Sequence, residues 1–150
     1  MTTDDAASGE KLTSPSEVVR RRMKAQARKD TRAETQLRRA LHARGKRYRV
    51  AYPVPGRRRR TMDIAFTRAK VAVLIDGCFW HGCPVHYIPP KNNAVWWEQK
   101  IRANRARDRD TSLHLREIGW RVVRLWEHET VAEMVRKVEE ALASAAAHQE

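Results

Sequence analysis

Helical and extended patterning alternate along this chain, and the changeovers mark its elements. Ser14-Pro15-Ser16-Glu17 reads as a helix start, with a cap, a proline at the first helical position and an acid close behind. A basic helix is expected from there to about Ala27. Thr31-Arg-Ala-Glu34 has capping-box form and predicts a second helix, through Leu37 and Leu41 to Arg44, ended by Gly45. Tyr48–Tyr52 then alternates, Pro53–Arg60 is expected as a basic turn around Pro55-Gly56, and Met62–Phe66 with Val71–Ile75 predicts a hairpin across Thr67–Lys70. After a Pro- and Asn-containing loop over 84–94, a long helix is predicted over about 95–118, with Gly119 as its stop. Val122–Trp126 is a further strand and Val131–Ala147 a closing helix. The order ααβββαβα describes one compact α/β or α+β domain over 14–150, behind a polar tail, 1–13, expected to be disordered.

The long helix departs from a simple amphipathic pattern. Trp97, Ile101, Asn104, Asp108 and Leu115 share one stripe, and two of the five are polar. An amide and a carboxylate packed towards a sheet must be satisfied by something. Either they bond backbone groups, or they reach the end of the sheet where residues 76–86 lie.

Charge narrows the partner. The chain has a formal net charge of +13, and residues 19–60 alone hold 17 Lys or Arg against Asp30 and Glu34. Such a one-sided surplus fits a polyanion better than a solubilising surface, which mixes both signs. An anionic membrane fits less well, because these segments lack a wide apolar face. Nucleic acid is the expected partner, with Arg20, Arg21, Arg22, Lys24, Lys29 and the run Arg57, Arg58, Arg59, Arg60 as candidate phosphate contacts and Asn104 as a further DNA contact. No stretch approaches the roughly 20 apolar residues of a membrane span, and the N-terminus has no signal pattern. The expectation is a cytoplasmic protein, where paired thiols hold metal more often than they form a disulfide.

The densest chemistry lies at 76–86, Asp-Gly-Cys-Phe-Trp-His-Gly-Cys-Pro-Val-His, directly after the most apolar run of the chain. Its Cys78 and Cys83 are the only two cysteines. Cys78-x4-Cys83-x2-His86 supplies three ligands of the kind structural zinc takes in a tetrahedral set of four. His128, at the end of the Val122–Trp126 strand, is the candidate fourth, with His81 competing for the place. Two ordinary buried cysteines are the plain alternative. His-Glu-x-x-His and the zinc-deaminase signature are both absent, so the expected zinc is structural.

Asp63 interrupts an apolar strand, where a carboxylate is costly unless paired, hydrogen-bonded or on a metal. With Asp76 and Asp108 it makes a candidate oxygen-donor site for Mg²⁺. His81, if free of zinc, suits proton transfer from water. Residue spacing alone leaves open a choice between a nuclease and a binding-only module.

Six segments extend the comparison: Arg-Lys-Asp-Thr-x-x-Glu (28–34), Gly-Lys-Arg-Tyr-Arg-Val (45–50), Asp-Gly-Cys-Phe-Trp-His-Gly-Cys-Pro (76–84), Trp-Glu-Gln-Lys-Ile (97–101), Asn-x-x-x-Asp (104–108) and Gly-Trp-Arg-Val-Val-Arg-Leu-Trp-Glu-His-Glu (119–129). In this order they resemble the very short patch repair endonucleases, the Vsr family of T:G-mismatch nicking enzymes. The resemblance covers about 16–130 and implies a restriction-endonuclease-like core with a structural zinc. It implies a Mg²⁺-dependent nick immediately 5′ of a thymine mispaired with guanine, as left by deamination of 5-methylcytosine. On that resemblance Asp63 and the backbone carbonyl of Ile75 bind Mg²⁺, His81 activates water, Asp108 supports it, and Glu34 lies near the site. Phe79, Trp80 and Trp97 match aromatics that wedge into the base stack, with core packing as the competing role.

The chain also departs from well-studied members. Gly-Cys-Pro-Val-His stands in place of a His-rich stretch, so Cys83 takes a His ligand position, and His86 and His128 take Cys positions. Asp76 stands where some members have His, which leaves it without a firm role. The expected partner is double-stranded DNA carrying a T:G mismatch, bound by a monomer, with a cytosine methyltransferase or repair proteins as functional associates. A zinc-stabilised DNA-binding module and a less selective nuclease are the alternatives.

Overall fold

The computed structural model describes residues 17–78, 82–85 and 87–149, and on the first helix the side chains of residues 20, 21 and 32–43. One helix, α1 (Glu17–Ala43), stands where two were expected. No Gly or Pro interrupts 17–43. A threonine inside a helix costs only about 0.5 kcal/mol against alanine. Ending the ladder at Thr31 and nucleating again would cost more, so the capping-box pattern is overridden and Glu34 is a mid-helix residue. The expected stop does hold. Gly45 takes φ 79°, and its N–H and that of Lys46 bond the carbonyls of His42 and Leu41, a Schellman ending.

The hairpin that follows is longer than the sequence suggested. β1 (Arg49–Val54) and β2 (Arg57–Phe66) meet across Pro55 and Gly56, so the four arginines expected in a turn lie within β2. A two-residue connection suffices because Gly56 supplies φ 80°. β3 (Val71–Asp76), α2 (Ala94–Glu117), β4 (Arg121–Trp126) and α3 (Val131–Ala147) fall within a residue or two of their predicted limits. α2 repeats the Schellman ending, with Gly119 at φ 90° and the Trp120 N–H on the Leu115 carbonyl. α3 opens with a capping box between Thr130 and Glu133.

The sheet runs β1-β2-β3-β4, antiparallel for the first two pairings and parallel for β3 with β4. A parallel pair needs a long crossover, and α2 is it. Helices cover both faces, which is why β3 reads as an unbroken apolar run rather than an alternation. Leu37 and Leu41 of α1 join Met134, Val135 and Val138 of α3 over Ile64, Phe66, Val71, Val73 and Leu125. On the opposite face Leu115 and Trp120 close over Met62, Ala65, Ala72 and Leu74. Each fully buried leucine contributes about 2 kcal/mol relative to exposure, enough for Leu37 and Leu41 to fix the C-terminal half of α1 against the sheet. Among the described residues no helix is long and apolar enough to cross a membrane.

Candidate active site and metal centre

The sheet opens at the end that carries Asp63 and Asp76. The β2–β3 ladder stops at the pair Ile64 and Val73. Two residues further along β3, the Ile75 N–H donates to Asp63 Oδ2 at 2.8 Å instead of to a strand carbonyl. Around Asp63 the hairpin also changes faces, since Ile64 belongs to one core and Met62 to the other. Opposite, Ala51 takes φ 47°, a left-handed conformation that a non-glycine residue holds only when its surroundings enforce it. The carboxylate therefore lies in a wedge between two strands. It lines a cavity of about 320 Å³ together with Ile75, Asp76 and Asp108. The three aspartates flagged by sequence are thus brought together.

Arg124 organises this end of the sheet, and the sequence reading did not single it out. Its guanidinium donates to Asp76 Oδ1 at 2.6 Å, to the Asp108 carbonyl at 2.9 Å and to Ser112 Oγ at 2.9 Å. The side chains of Arg124 and Asp76 are 27% and 12% exposed, so the pair is well shielded. One side chain on β4 thereby ties β3 to the middle of α2. The signal was present: an arginine within Val122–Trp126 is as anomalous as the aspartate in β2, and the two anomalies needed partners.

Glu34 reaches the same region from α1. Burial raises its carboxyl pKa above the ordinary glutamate value, the Asp63 carboxylate raises it further, and the Arg38 guanidinium opposes both. Arg38 Nε lies 3.8 Å from Glu34 Oε1. Two carboxylates that repel one another are arranged where a cation would relieve them.

Beyond the strand ends, Cys78, Cys83 and His128 converge, with one ligand atom from each within 4.8 Å of the others. Cys78 Sγ and Cys83 Sγ lie 3.2 and 3.6 Å from His128 Nδ1. The cause is the parallel register: Asp76 pairs with Trp126, so Cys78 and His128 each follow two residues beyond it. The Cys83 N–H donates to the Cys78 carbonyl at 2.8 Å, which keeps the second thiol beside the first. Burial, the Cys83 thiol and the Glu127 carboxylate push the Cys78 thiol up to about 12. The donor set and its closeness fit one tetrahedral ion with soft ligands, and such an ion would make the thiolate favourable.

Sequence comparison gives the same direction. Residues 15–86 match the profile of the DNA mismatch endonuclease Vsr family. Type II nicking enzyme V.NaeI of Lentzea aerocolonigenes is 44% identical over 125 residues, covering 81% of this chain and 75% of that protein. The chain belongs to the Vsr family. Type II nicking enzyme V.XorIIP of Xanthomonas oryzae pv. oryzae is 40% identical over 104 residues, 67% of this chain and 73% of that protein. DNA mismatch endonuclease Vsr of Escherichia coli K12 is 35% identical over 108 residues, 70% of this chain and 66% of that protein.

The other expected site residues divide three ways. His81, His86, Phe79 and Trp80 lie outside the described residues, as do the side chains of Arg22, Lys24 and Lys29. Trp97 is 2% exposed and packs edge-on against Trp96, the core packing given as its competing role. Asn104, expected to face DNA, is 7% exposed, and its Oδ1 accepts from Arg107 at 3.4 Å. Both lie on the buried stripe of α2, which leaves Trp97 and Asn104 facing the interior. Arg20 and Arg21 are exposed. Of the β2 arginines, Arg57 and Arg60 pair with Asp110 of α2, while Arg58 and Arg59 are exposed without an ion pair among the described residues.

Two expectations follow from this geometry. Arg124→Met takes the guanidinium from the shielded Asp76 carboxylate and should cost about 3 kcal/mol in urea unfolding, most of it recovered by adding Asp76→Asn. A single-variant cost below about 0.5 kcal/mol, the range of an ordinary surface change, would show that the pair does not anchor the sheet end. For Glu34 the folded pKa exceeds the unfolded one. Its stabilising contribution is therefore complete below the ordinary value of 4.5 and is lost as pH rises through the raised value. In magnesium-free buffer, Glu34→Gln should gain stability relative to the native protein as pH rises from 4.5 to neutrality. A constant difference across that window would remove Glu34 as a source of pH dependence.

Proposed function

We propose that this chain is a DNA mismatch endonuclease that nicks one strand immediately 5′ of the thymine in a T:G mismatch by Mg²⁺-dependent phosphodiester hydrolysis. The observation that carries the reading is the convergence of Asp63, Asp76 and Asp108 on one cavity at the open end of the sheet, in a chain of the Vsr family. A mixed sheet with helices on both faces is compatible with a restriction-endonuclease-like core. Asp63 and the Ile75 carbonyl would hold Mg²⁺, whose preference is for hard oxygen donors beside a substrate phosphate. When bound, the ion supplies charge neutralisation at the phosphate and lowers the pKa of water. Asp76 is held by Arg124, so its part is to position that guanidinium beside the reacting phosphate.

His81 is the proton acceptor on this reading, with Asp108 supporting it. Cys78 and Cys83 bracket the segment that carries Phe79, Trp80 and His81. A structural zinc on Cys78, Cys83 and His128, with His86 as fourth ligand, would brace that segment. Phe79 and Trp80 would enter the stack at the mismatch, where unstacking costs least, and Trp97 would back them from the core. Arg20, Arg21, Arg58 and Arg59 would hold phosphates.

Asp63→Ala removes an oxygen ligand whose ion is worth several kcal/mol in the transition state, so nicking of a T:G duplex should fall at least about 100-fold while binding persists. Equal cutting of T:G and T:A duplexes by the native protein would favour a less selective nuclease, and binding without any product a DNA-binding module. Metal analysis should return one zinc per chain, and Cys83→Ser should lose it and unfold at a lower temperature. Zinc-free native protein, or an unchanged melting temperature in the variant, would sink the structural-zinc assignment.

A further inference from the structure

A second cavity, of about 600 Å³, adjoins the Asp63 cavity and shares Asp76, Asp108 and Arg124 with it. The Arg124–Asp76 pair is the partition between them. Arg105, Arg109 and Arg116 line this second space from α2, at spacings of four and seven residues that keep them on one helical face. Its two carboxylates face four guanidinium groups, so it is positive overall. Arg105 is engaged with the Gly82 carbonyl and Arg124 with Asp76. Arg109 and Arg116 are exposed and enter no ion pair among the described residues, whereas the exposed Arg102 and Arg136 are matched by Glu98 and Glu140. Between them Leu113 is 58% exposed, which offers an apolar surface inside a cationic groove.

We infer that this groove binds the sugar–phosphate backbone of the cleaved strand next to the scissile bond, with Arg109 and Arg116 as its phosphate contacts. A phosphodiester strand matches both features, having anionic groups for the guanidiniums and sugar faces for Leu113. Seven residues of helix span about 10 Å, or about three base-pair steps at about 3.4 Å each. Two contacts at that separation would hold the strand in line as it leaves the metal cavity, whichever bases it carries. The inference rests on the reading of this chain as acting on DNA, and it goes beyond the α1 and β2 arginines in placing backbone contacts on α2.

The test uses the full-length, zinc-loaded protein and labelled matched and T:G duplexes, with affinity measured across a salt series. Arg109→Gln/Arg116→Gln should make the slope of log affinity against log salt shallower by about 1.8, from about 0.9 per contact, equally on both duplexes. Arg109→Lys/Arg116→Lys should restore the native slope, and the melting temperature should not move in either variant. Arg68→Gln, in the turn at the other end of β3, should behave as native protein. A Gln variant whose slope equals that of Arg68→Gln overturns the groove assignment while leaving nicking activity to be judged separately. Native protein that neither binds nor nicks DNA overturns the underlying reading instead.

Discussion

The parallel pairing of β3 with β4 is the constraint on which the site depends, because it sets four chemical groups side by side at a single register. Leu74 lies opposite Arg124 and Asp76 opposite Trp126, and the ladder extends one step further through the Glu127 N–H on the Asp76 carbonyl at 3.0 Å. That alignment brings the Arg124 guanidinium to Asp76 and the His128 ring to Cys78. A slip of one residue would turn every side chain of β4 to the opposite face. It would bury Arg124 in the apolar core over α3 and remove His128 from the thiols. The cost of stranding a charge there makes the chemical residues themselves enforcers of register.

At the other edge of β3 the opposite device operates. β2 joins β3 only from Ile64 onward, and the Asp63 carboxylate just before it takes up the Ile75 amide that the ladder leaves over. Burying a carboxylate among strands is costly, and an amide donor offsets part of that cost. The left-handed Ala51 opposite shows that the hairpin is bent to achieve it. The Asp63 carboxylate is thus held in one orientation by the backbone itself, a form of preorganisation.

The arginines form two populations that composition cannot separate. Some are internal ties: Arg124 to Asp76 and Asp108, Arg60 to Asp110 and Thr111, and Arg105 to Gly82. In Asp110 the Arg60 hydrogen bond holds the carboxyl below the usual aspartate range. Others, Arg58, Arg59, Arg109 and Arg116 among them, remain available to an external anion. Net charge alone would have placed nearly all the binding surface in the first third of the chain. The fold adds Arg109 and Arg116, exposed and without an ion pair among the described residues, on α2, whose six Lys or Arg stand against four acids.

What the sequence determined by itself was local. Apolar periodicity and the glycines at 45, 56 and 119 placed most elements, because a left-handed φ after a helix or in a tight turn is a local steric demand. Asp63 and the Cys78–Cys83 spacing were legible as anomalies, since a carboxylate in a strand and closely spaced thiols need an explanation wherever they occur. The family was legible from ordered motifs. Tertiary structure decided the rest. It fused two predicted helices into α1, because packing of Leu37 and Leu41 and the continuity of the ladder outweigh a capping-box pattern. It turned Trp97 and Asn104 inward, because helical phase gives a stripe but not what the stripe faces. It gave Asp76 a partner 48 residues away in Arg124, and a pairing at that separation depends on strand register, which no local pattern encodes.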